Sequence, residues 1–197
     1  MMKGRAMWTG RAVQTAWFGS LFFSAVSNAA GGVAGYFADP QQSRLEFVGL
    51  QAGAEFKGSF RKFSAVVDFA PDALANSRFD VQIDVSSVDT MDGDRDKTIR
   101  GADIFDVAHW PQAHYVTRSI AKTATGFAAT GALTLRGITK DVPIDFSFTP
   151  LPGGAKLAGN ARLKRLDFGA GQGDWKSTEW VGDLVKVSFS LALKPRP

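Results

Sequence analysis

Hydrophobic and polar residues alternate along most of this chain. The clearest runs are residues 56–60, 65–69, 81–85, 127–135, 142–148 and 185–191, and three weaker candidates are 44–50, 114–121 and 157–163. A hydrophobic period of two is typical of strands that bury one face and expose the other to solvent. The pattern therefore predicts an all-β domain of eight or nine antiparallel strands, arranged as a closed barrel or a sandwich.

Short loops and one helical segment join the predicted strands. Residues 123–126 and 151–154 are rich in the residues that form hairpin loops. Residues 94–108 lack the alternation, and their apolar residues fall near helical spacing. The helix must end before Pro111, because the residue preceding a proline is disfavoured in the helical conformation. We expect a short helical crossover at 94–108 that covers one end of the barrel.

Residues 1–29 have the composition of an export signal. Three basic residues lie within the first eleven positions, residues 16–26 form a dense apolar run, and Ser27-Asn28-Ala29 offers small residues for cleavage. The alternative is a membrane anchor, which needs about 20 predominantly apolar residues. We therefore predict a signal peptide at 1–29, a single domain at 30–197 and a periplasmic location.

The charge and the composition exclude several classes of function. The chain has 23 basic and 19 acidic residues, but three basic and no acidic residues lie in the predicted signal, so the mature net charge is +1. Electrostatic binding to nucleic acid is therefore not expected. The absence of cysteine excludes disulfides and thiolate sites, and only two histidines are present. We predict no metal site, no cofactor and no catalytic residue.

The interior of the predicted barrel is either solid or hollow. An eight-stranded barrel is filled by side chains or holds one small ligand. Small residues share the predicted inner faces with large apolar ones at Gly58, Ala129, Gly131, Gly159 and Ala161. These positions either leave room for a ligand or mark twist and bulges in a solid core. Both interpretations fit the pattern.

Four segments, in this order and spacing, resemble the YceI family of exported lipid-binding proteins. They are residues 58–63 (GSFRKF) followed by 66–69 (VVDF); 81–90 (VQIDVSSVDT) followed by Arg95, Asp96, Ile99 and Arg100; 103–106 (DIFD) with Trp110-Pro111; and 131–140 (GALTLRGITK). Residues 165–169 (RLDFG) fit as well, so the resemblance covers about residues 36–193. It implies a lipocalin-like, eight-stranded antiparallel barrel around an apolar tunnel that binds a polyisoprenoid chain.

The resemblance also implies partners and shows one departure. Some members resemble carriers of isoprenoid quinones, and dimers occur in the family. The loop at 169–175 resembles a subgroup found beside membrane b-type cytochromes, which favours a quinone and a membrane cytochrome as partners. Many members have a histidine where this chain has Thr98. If that histidine meets a polar head group, the contact is missing here.

Candidate ligand-binding residues follow from the inner faces. A tube of apolar side chains binds a prenyl chain because each buried CH₂ group contributes about 0.8 kcal/mol. The predicted lining residues are Phe56, Phe60, Val67, Ile83, Phe127, Leu133, Ile144, Phe146, Val187 and Phe189. The alternative for each is plain core packing. Arg95, Arg100 and Arg136 are candidates for the mouth, where a guanidinium binds an oxyanion, and their alternative is a surface pair with an aspartate.

The predicted function is a periplasmic protein that binds or carries an isoprenoid lipid, either a polyprenyl phosphate or an isoprenoid quinone, without catalysis. One alternative is a non-catalytic accessory module with a solid core, which acts with a membrane b-type cytochrome or in a stress-response system. Another is a hydrolase or isomerase that uses Asp96 and a histidine. A continuous cavity favours the first function, and a filled barrel favours the second.

Overall fold

The domain is built from strand segments and one helix. In a computed structural model, which describes residues 32–197, the strands are β1 (Ala34–Ala38), β2 (Arg44–Gln51), β3 (Ala54–Phe60), β4 (Phe63–Phe69), β5 (Arg78–Asp84), β6 (Val88–Asp89), β7 (Gln112–Lys122), β8 (Phe127–Leu135), β9 (Ile138–Leu151), β10 (Gly154–Lys164) and β11 (Leu184–Pro195). Helix α1 (Gly93–Arg100) lies between β6 and β7. The predicted all-β class is confirmed. The predicted signal peptide lies outside the described residues.

Three long strands are each divided into two segments. Residues 39–43 separate β1 from β2, residues 61–62 separate β3 from β4, and residues 85–87 separate β5 from β6. The last two breaks lie side by side, because the Arg61 N–H donates to the Ser87 carbonyl at 3.1 Å. With each pair counted as one strand, residues 32–197 form eight strands.

The eight strands form a closed antiparallel barrel in chain order. Each strand pairs with the next one along the chain. The last strand, β11, returns to the first and pairs Leu193 with Ala38 of β1 and Val187 with Phe47 of β2. Closure removes the exposed edges that an open sheet would have. The predicted eight-stranded antiparallel barrel is therefore confirmed.

The connections between strands define two ends of the barrel. The connections at 52–53, 90–111, 136–137 and 165–183 lie at one end, which we call the mouth end. Those at 70–77, 123–126 and 152–153 lie at the other, which we call the closed end. The division follows from the topology, since successive turns of an antiparallel meander alternate between its two ends.

An aromatic cluster fills the interior at the closed end. Phe69 is 1% exposed, and its ring centroid lies 5.0 Å from that of Phe127, 5.5 Å from that of Phe146 and 4.8 Å from that of Phe148. Phe79 lies 5.0 Å from Phe146. We call these five rings the aromatic plug. Most of the pairs have the tilted or edge-to-face geometry that aromatic rings prefer, so the plug closes this end of the barrel.

Helix α1 is fixed over the mouth end by two aspartates. The Asp92 side chain accepts a hydrogen bond from the Arg95 N–H at 3.0 Å and caps the helix. The Asp96 side chain is buried and accepts hydrogen bonds from the N–H of Thr90 at 2.8 Å and from its hydroxyl at 2.7 Å. These bonds tie the helix to the end of β6, and Ile99 is buried beneath it.

The helix is shorter than the sequence predicts. It ends at Arg100 and not at residue 108, because Gly101 is extended and the chain turns back. The Phe105 N–H then donates to the Ile99 carbonyl at 3.0 Å. Residues 101–111 therefore fold as turns that lie against the end of α1. Among residues 32–197, no helix is both long and apolar enough to cross a bilayer.

Candidate functional site

An apolar cavity occupies the barrel between the aromatic plug and the mouth end. Its volume is about 230 Å³, which exceeds the roughly 150 Å³ of an engineered apolar cavity that stays dry and binds benzene. Its walls are side chains from all eight long strands. Protein interiors contain few voids larger than a water molecule, so this space is large enough to hold part of an apolar ligand.

Two segments cover the cavity at the mouth end. Ile99, Ile104 and Phe105 reach it from α1 and the turn that follows. Residues 165–183, which we call the roof segment, also line it, and the Gly182 N–H joins the segment to the Leu50 carbonyl at 3.0 Å. Leu50 lines the cavity and is 40% exposed. Leu50 therefore marks the rim where the cavity wall meets solvent.

Arg165 holds the roof segment in place. Its guanidinium is buried and donates to five backbone carbonyls, those of Ala170 (2.9 Å), Trp175 (2.7 Å), Ser177 (3.1 Å), Val181 (2.9 Å) and Gly182 (3.1 Å). Burial lowers the pKa of this guanidinium and the charge of Asp183 raises it, but an arginine stays protonated in either case. One buried cation thus organises the whole roof.

Replacing Arg165 with lysine should loosen the roof segment while keeping the charge. An ammonium group has three donors where the guanidinium has five, so at least two of the five carbonyls lose their partner. We expect the free energy of unfolding to fall by about 2 kcal/mol and amide hydrogen exchange to quicken in residues 170–182. Arg162→Lys on the outer face of β10 is the matched control. Unchanged exchange in the roof would contradict this role.

The small inner residues fill two different roles. A Cβ on Gly58 would overlap the ring of Phe47, and one on Gly159 would overlap the ring of Phe189. A Cβ on Gly131 would overlap the ring of Tyr115 in the same way. These glycines therefore let a ring from the adjacent strand lie against the backbone and leave no empty space. Ala161 lines the cavity, whereas Ala129 is buried outside it.

Comparison with known proteins places this barrel in one family. The family model described as the YceI-like domain matches residues 36–193. This chain belongs to the YceI family. A UPF0312 protein of Yersinia pestis is 34% identical over 159 residues, which is 76% of this chain and 81% of the relative. Protein YceI of Escherichia coli is 32% identical over 163 residues, covering 77% of this chain and 82% of the relative.

Solved structures share the YceI barrel. BcnA of Burkholderia cenocepacia has a TM-score of 0.75 and 32% sequence identity, and the match covers 79% of this chain and 98% of that one. A domain from Saccharophagus degradans, described as polyisoprenoid-binding and implicated in plant cell wall breakdown, has a TM-score of 0.65. Its identity is 17%, over 83% of this chain and 99% of that one, so this second likeness establishes the fold alone.

Eight of the ten predicted lining residues border the cavity of this YceI barrel. They are Phe56, Phe60, Val67, Ile83, Leu133, Ile144, Val187 and Phe189. Phe127 and Phe146 also face inward, but they stack on each other in the aromatic plug with centroids 5.4 Å apart. Neither ring is among the residues that line the cavity. Ligand contact by any of the ten residues stays a prediction.

Several cavity residues were not singled out by the sequence pattern. Phe47 and Tyr115 line the cavity, and the alternation at 44–50 and 114–121 was the signal that could have found them. The Tyr115 hydroxyl donates to the Val142 carbonyl at 3.3 Å, and burial raises the pKa of the phenol, so it stays protonated. Phe105 and Arg165 lie in connections, and no periodicity there shows which side chains face inward.

Arg95 lies at the cavity rim but is engaged with the protein itself. Its Nε donates to the Gln51 side chain at 3.1 Å, and a guanidinium nitrogen lies 3.2 Å from an Asp92 carboxylate oxygen. The guanidinium carbon lies 4.7 Å from the ring centroid of Phe56, which lines the cavity. Among the three arginines predicted for the mouth, Arg95 is therefore the one whose guanidinium lies over a ring that lines the cavity.

Arg100 and Arg136 serve the backbone at the mouth end. Arg100 donates to the carbonyls of Ser86 at 2.7 Å and Val88 at 2.6 Å. Arg136 donates to those of Ala102 at 2.5 Å and Ile104 at 3.1 Å. Neither side chain lines the cavity. Thr98, where the family resemblance implies a histidine in many members, donates its hydroxyl to the Asp94 carbonyl within α1 at 2.9 Å.

The pairing of Asp96 with a histidine, required by the enzyme hypothesis, is not formed. His114 Nε2 lies 2.7 Å from an Asp80 oxygen, and His109 Nδ1 lies 2.8 Å from an Asp106 oxygen. Neither histidine nor Asp96 lines the cavity. Within the described part of the chain, no group of three or more metal-binding side chains could hold a metal ion.

Proposed function

We propose that this YceI-family protein binds one isoprenoid lipid inside its barrel and carries it through the periplasm without catalysing a reaction. The observation that carries the proposal is the apolar cavity, which is closed by the aromatic plug at one end and has the partly exposed Leu50 in its wall at the mouth end. A prenyl chain would enter tail first and leave its polar head at the mouth end. Each buried CH₂-sized group would contribute about 0.8 kcal/mol toward the affinity, before the cost of association is subtracted.

The chemistry of the walls supports a hydrocarbon ligand. The two polar side chains that line the cavity are Tyr115 and Arg165, and both donate to backbone carbonyls. A polar ligand group inside the barrel would therefore stay without a partner, at a cost of about 1–3 kcal/mol. Family membership and the same walls point to a binding protein rather than an enzyme.

The cavity also weighs against the accessory module. That function was expected to have a solid core. Rings occupy the space beside several inner glycines, but a cavity is still present in the barrel. A membrane b-type cytochrome partner and a homodimer stay predictions from the family resemblance. The periplasmic location stays a prediction from the composition of residues 1–29.

Lipid extraction tests the proposal directly. The full chain is expressed in a Gram-negative host, purified from the periplasmic fraction, and extracted with organic solvent for mass spectrometry. We expect a prenyl lipid in near-stoichiometric amount, and a mature protein mass consistent with cleavage near Ala29. Repeated absence of any prenyl lipid, together with no binding of added ubiquinone or polyprenyl phosphate, would overturn the proposal.

A further inference from the structure

We infer that the mouth end selects a prenyl lipid with an uncharged head, such as a quinone or a prenol, over the corresponding prenyl phosphate. This selection presupposes that the cavity binds a prenyl chain, as proposed above. The tail-first orientation places the head among the connections of the mouth end. Two properties of those connections decide which head group they accept. Their arginines donate hydrogen bonds to the protein itself, and their net charge is negative.

The arginines that could bind a phosphate already donate hydrogen bonds to the protein itself. All four arginines in the mouth-end connections donate to groups of the protein: Arg95 to Gln51, Arg100 to Ser86 and Val88, Arg136 to Ala102 and Ile104, and Arg165 to five roof carbonyls. A phosphate is bound tightly where guanidinium donors are available in pairs. A phosphate that used these same donors would compete with bonds that hold the roof and α1.

The charge of the mouth end opposes an anion as well. Its four connections contain nine acidic and six basic residues, a net charge of −3. The closed-end connections contain one charged residue, Asp72. Because the mature chain as a whole has a net charge of +1, acidic residues are concentrated where the lipid head must lie. A phosphate monoester carries a charge of about −1.5 to −2 at neutral pH and is therefore repelled.

Arg95 is the residue most able to favour a prenyl phosphate over an uncharged lipid. It touches Phe56 at the rim, and its side chain is 26% exposed. However, its guanidinium is already paired with Asp92 at 3.2 Å. A phosphate would have to displace that carboxylate and would still face the acidic residues around it. A neutral head group is not repelled by these carboxylates and needs only one or two weak hydrogen bonds.

A matched pair of ligands tests the selection. Geranylgeraniol and geranylgeranyl monophosphate share one chain and differ only in the phosphate. Each is titrated into the purified protein, with the fluorescence of the roof tryptophans Trp175 and Trp180 as the signal. We expect the prenol to bind at least tenfold more tightly at low ionic strength, and the difference to shrink at high salt because the repulsion is screened.

Charge variants locate the effect. Asp174 and Glu179 are exposed in the roof segment, so Asp174→Asn with Glu179→Gln should narrow the preference several-fold. Asp72→Asn with Asp145→Asn removes two exposed carboxylates away from the mouth end and should leave the preference unchanged. An Arg95→Gln variant should leave the affinity for the phosphate unchanged, and a selective loss of phosphate binding would contradict the inference that Arg95 is committed to the protein.

The outcomes separate the two proposals. A phosphate that binds as tightly as the prenol overturns the selection and leaves lipid binding intact. Binding of neither ligand, nor of ubiquinone, overturns the proposed function and the selection with it. A preference for the prenol that is insensitive to salt and to the roof carboxylates overturns the electrostatic origin inferred here.

Discussion

Replacing Ala161 with phenylalanine is expected to abolish lipid binding while the barrel remains folded. Ala161 lies on β10, faces the cavity, and pairs with Val187 and Ile144 on the flanking strands. A phenyl ring at this position would project into a cavity of about 230 Å³, so the existing space can accept it. The ring would displace about four CH₂-sized groups of the ligand, or about 3 kcal/mol, which corresponds to at least a 100-fold increase in Kd.

Asn160→Phe is the matched control for this substitution. Asn160 is the preceding residue of β10 and is exposed on the outer face, so the same added ring should leave the Kd unchanged. Both variants are titrated with ubiquinone, and their folding is checked by circular dichroism and thermal unfolding. Normal binding by a folded Ala161→Phe variant would show that the lipid does not occupy this cavity.

Phe69→Ala is expected to cause the largest loss of stability. Phe69 is 1% exposed and its ring contacts those of Phe127, Phe146 and Phe148 at the centre of the aromatic plug. Truncation removes the transfer free energy of a buried ring and leaves a cavity that the closed barrel cannot collapse to fill. The expected decrease in the free energy of unfolding is about 3–5 kcal/mol, measured by urea denaturation.

Phe37→Ala controls for the loss of a phenylalanine as such. Phe37 lies on β1 and is 43% exposed, so its truncation should cost less than about 1 kcal/mol. Equal effects of the two substitutions would contradict the role of the plug, because burial is the property that distinguishes the two rings.

The strands were predictable because alternation is a local consequence of a half-buried sheet. Residues 127–135 show the alternation, and β8 has the same bounds. β1 was not predicted, because Ala34–Ala38 shows no clear alternation. It is held by pairing with β4 and with the distant β11. The breaks at 61–62 and 85–87 likewise involve a hydrogen bond between two strands. Such a bond joins residues distant in the chain, so the local pattern could not predict these breaks.

The inward direction of the cavity side chains was predictable, but their depth along the barrel axis was not. Alternation identified Phe127, Phe146 and Ile144 as facing inward, and all three do so. Their position along the barrel axis separates the plug residues Phe127 and Phe146 from Ile144 on the cavity wall. Depth depends on the tilt and stagger of closed strands, and these are properties of the whole sheet.

The sequence alone determined the all-β class, the inward face of most strands and the resemblance to the YceI family, since each rests on local residue order. The tertiary structure decided where the barrel is hollow. The rings of Phe47 and Tyr115 fill the space beside Gly58 and Gly131, whereas Ala161 borders the cavity. The tertiary structure also decided that the arginines of the mouth end bind the protein's own backbone and side chains. Such outcomes require residues distant in the chain to meet, and only the closed fold fixes which of them do.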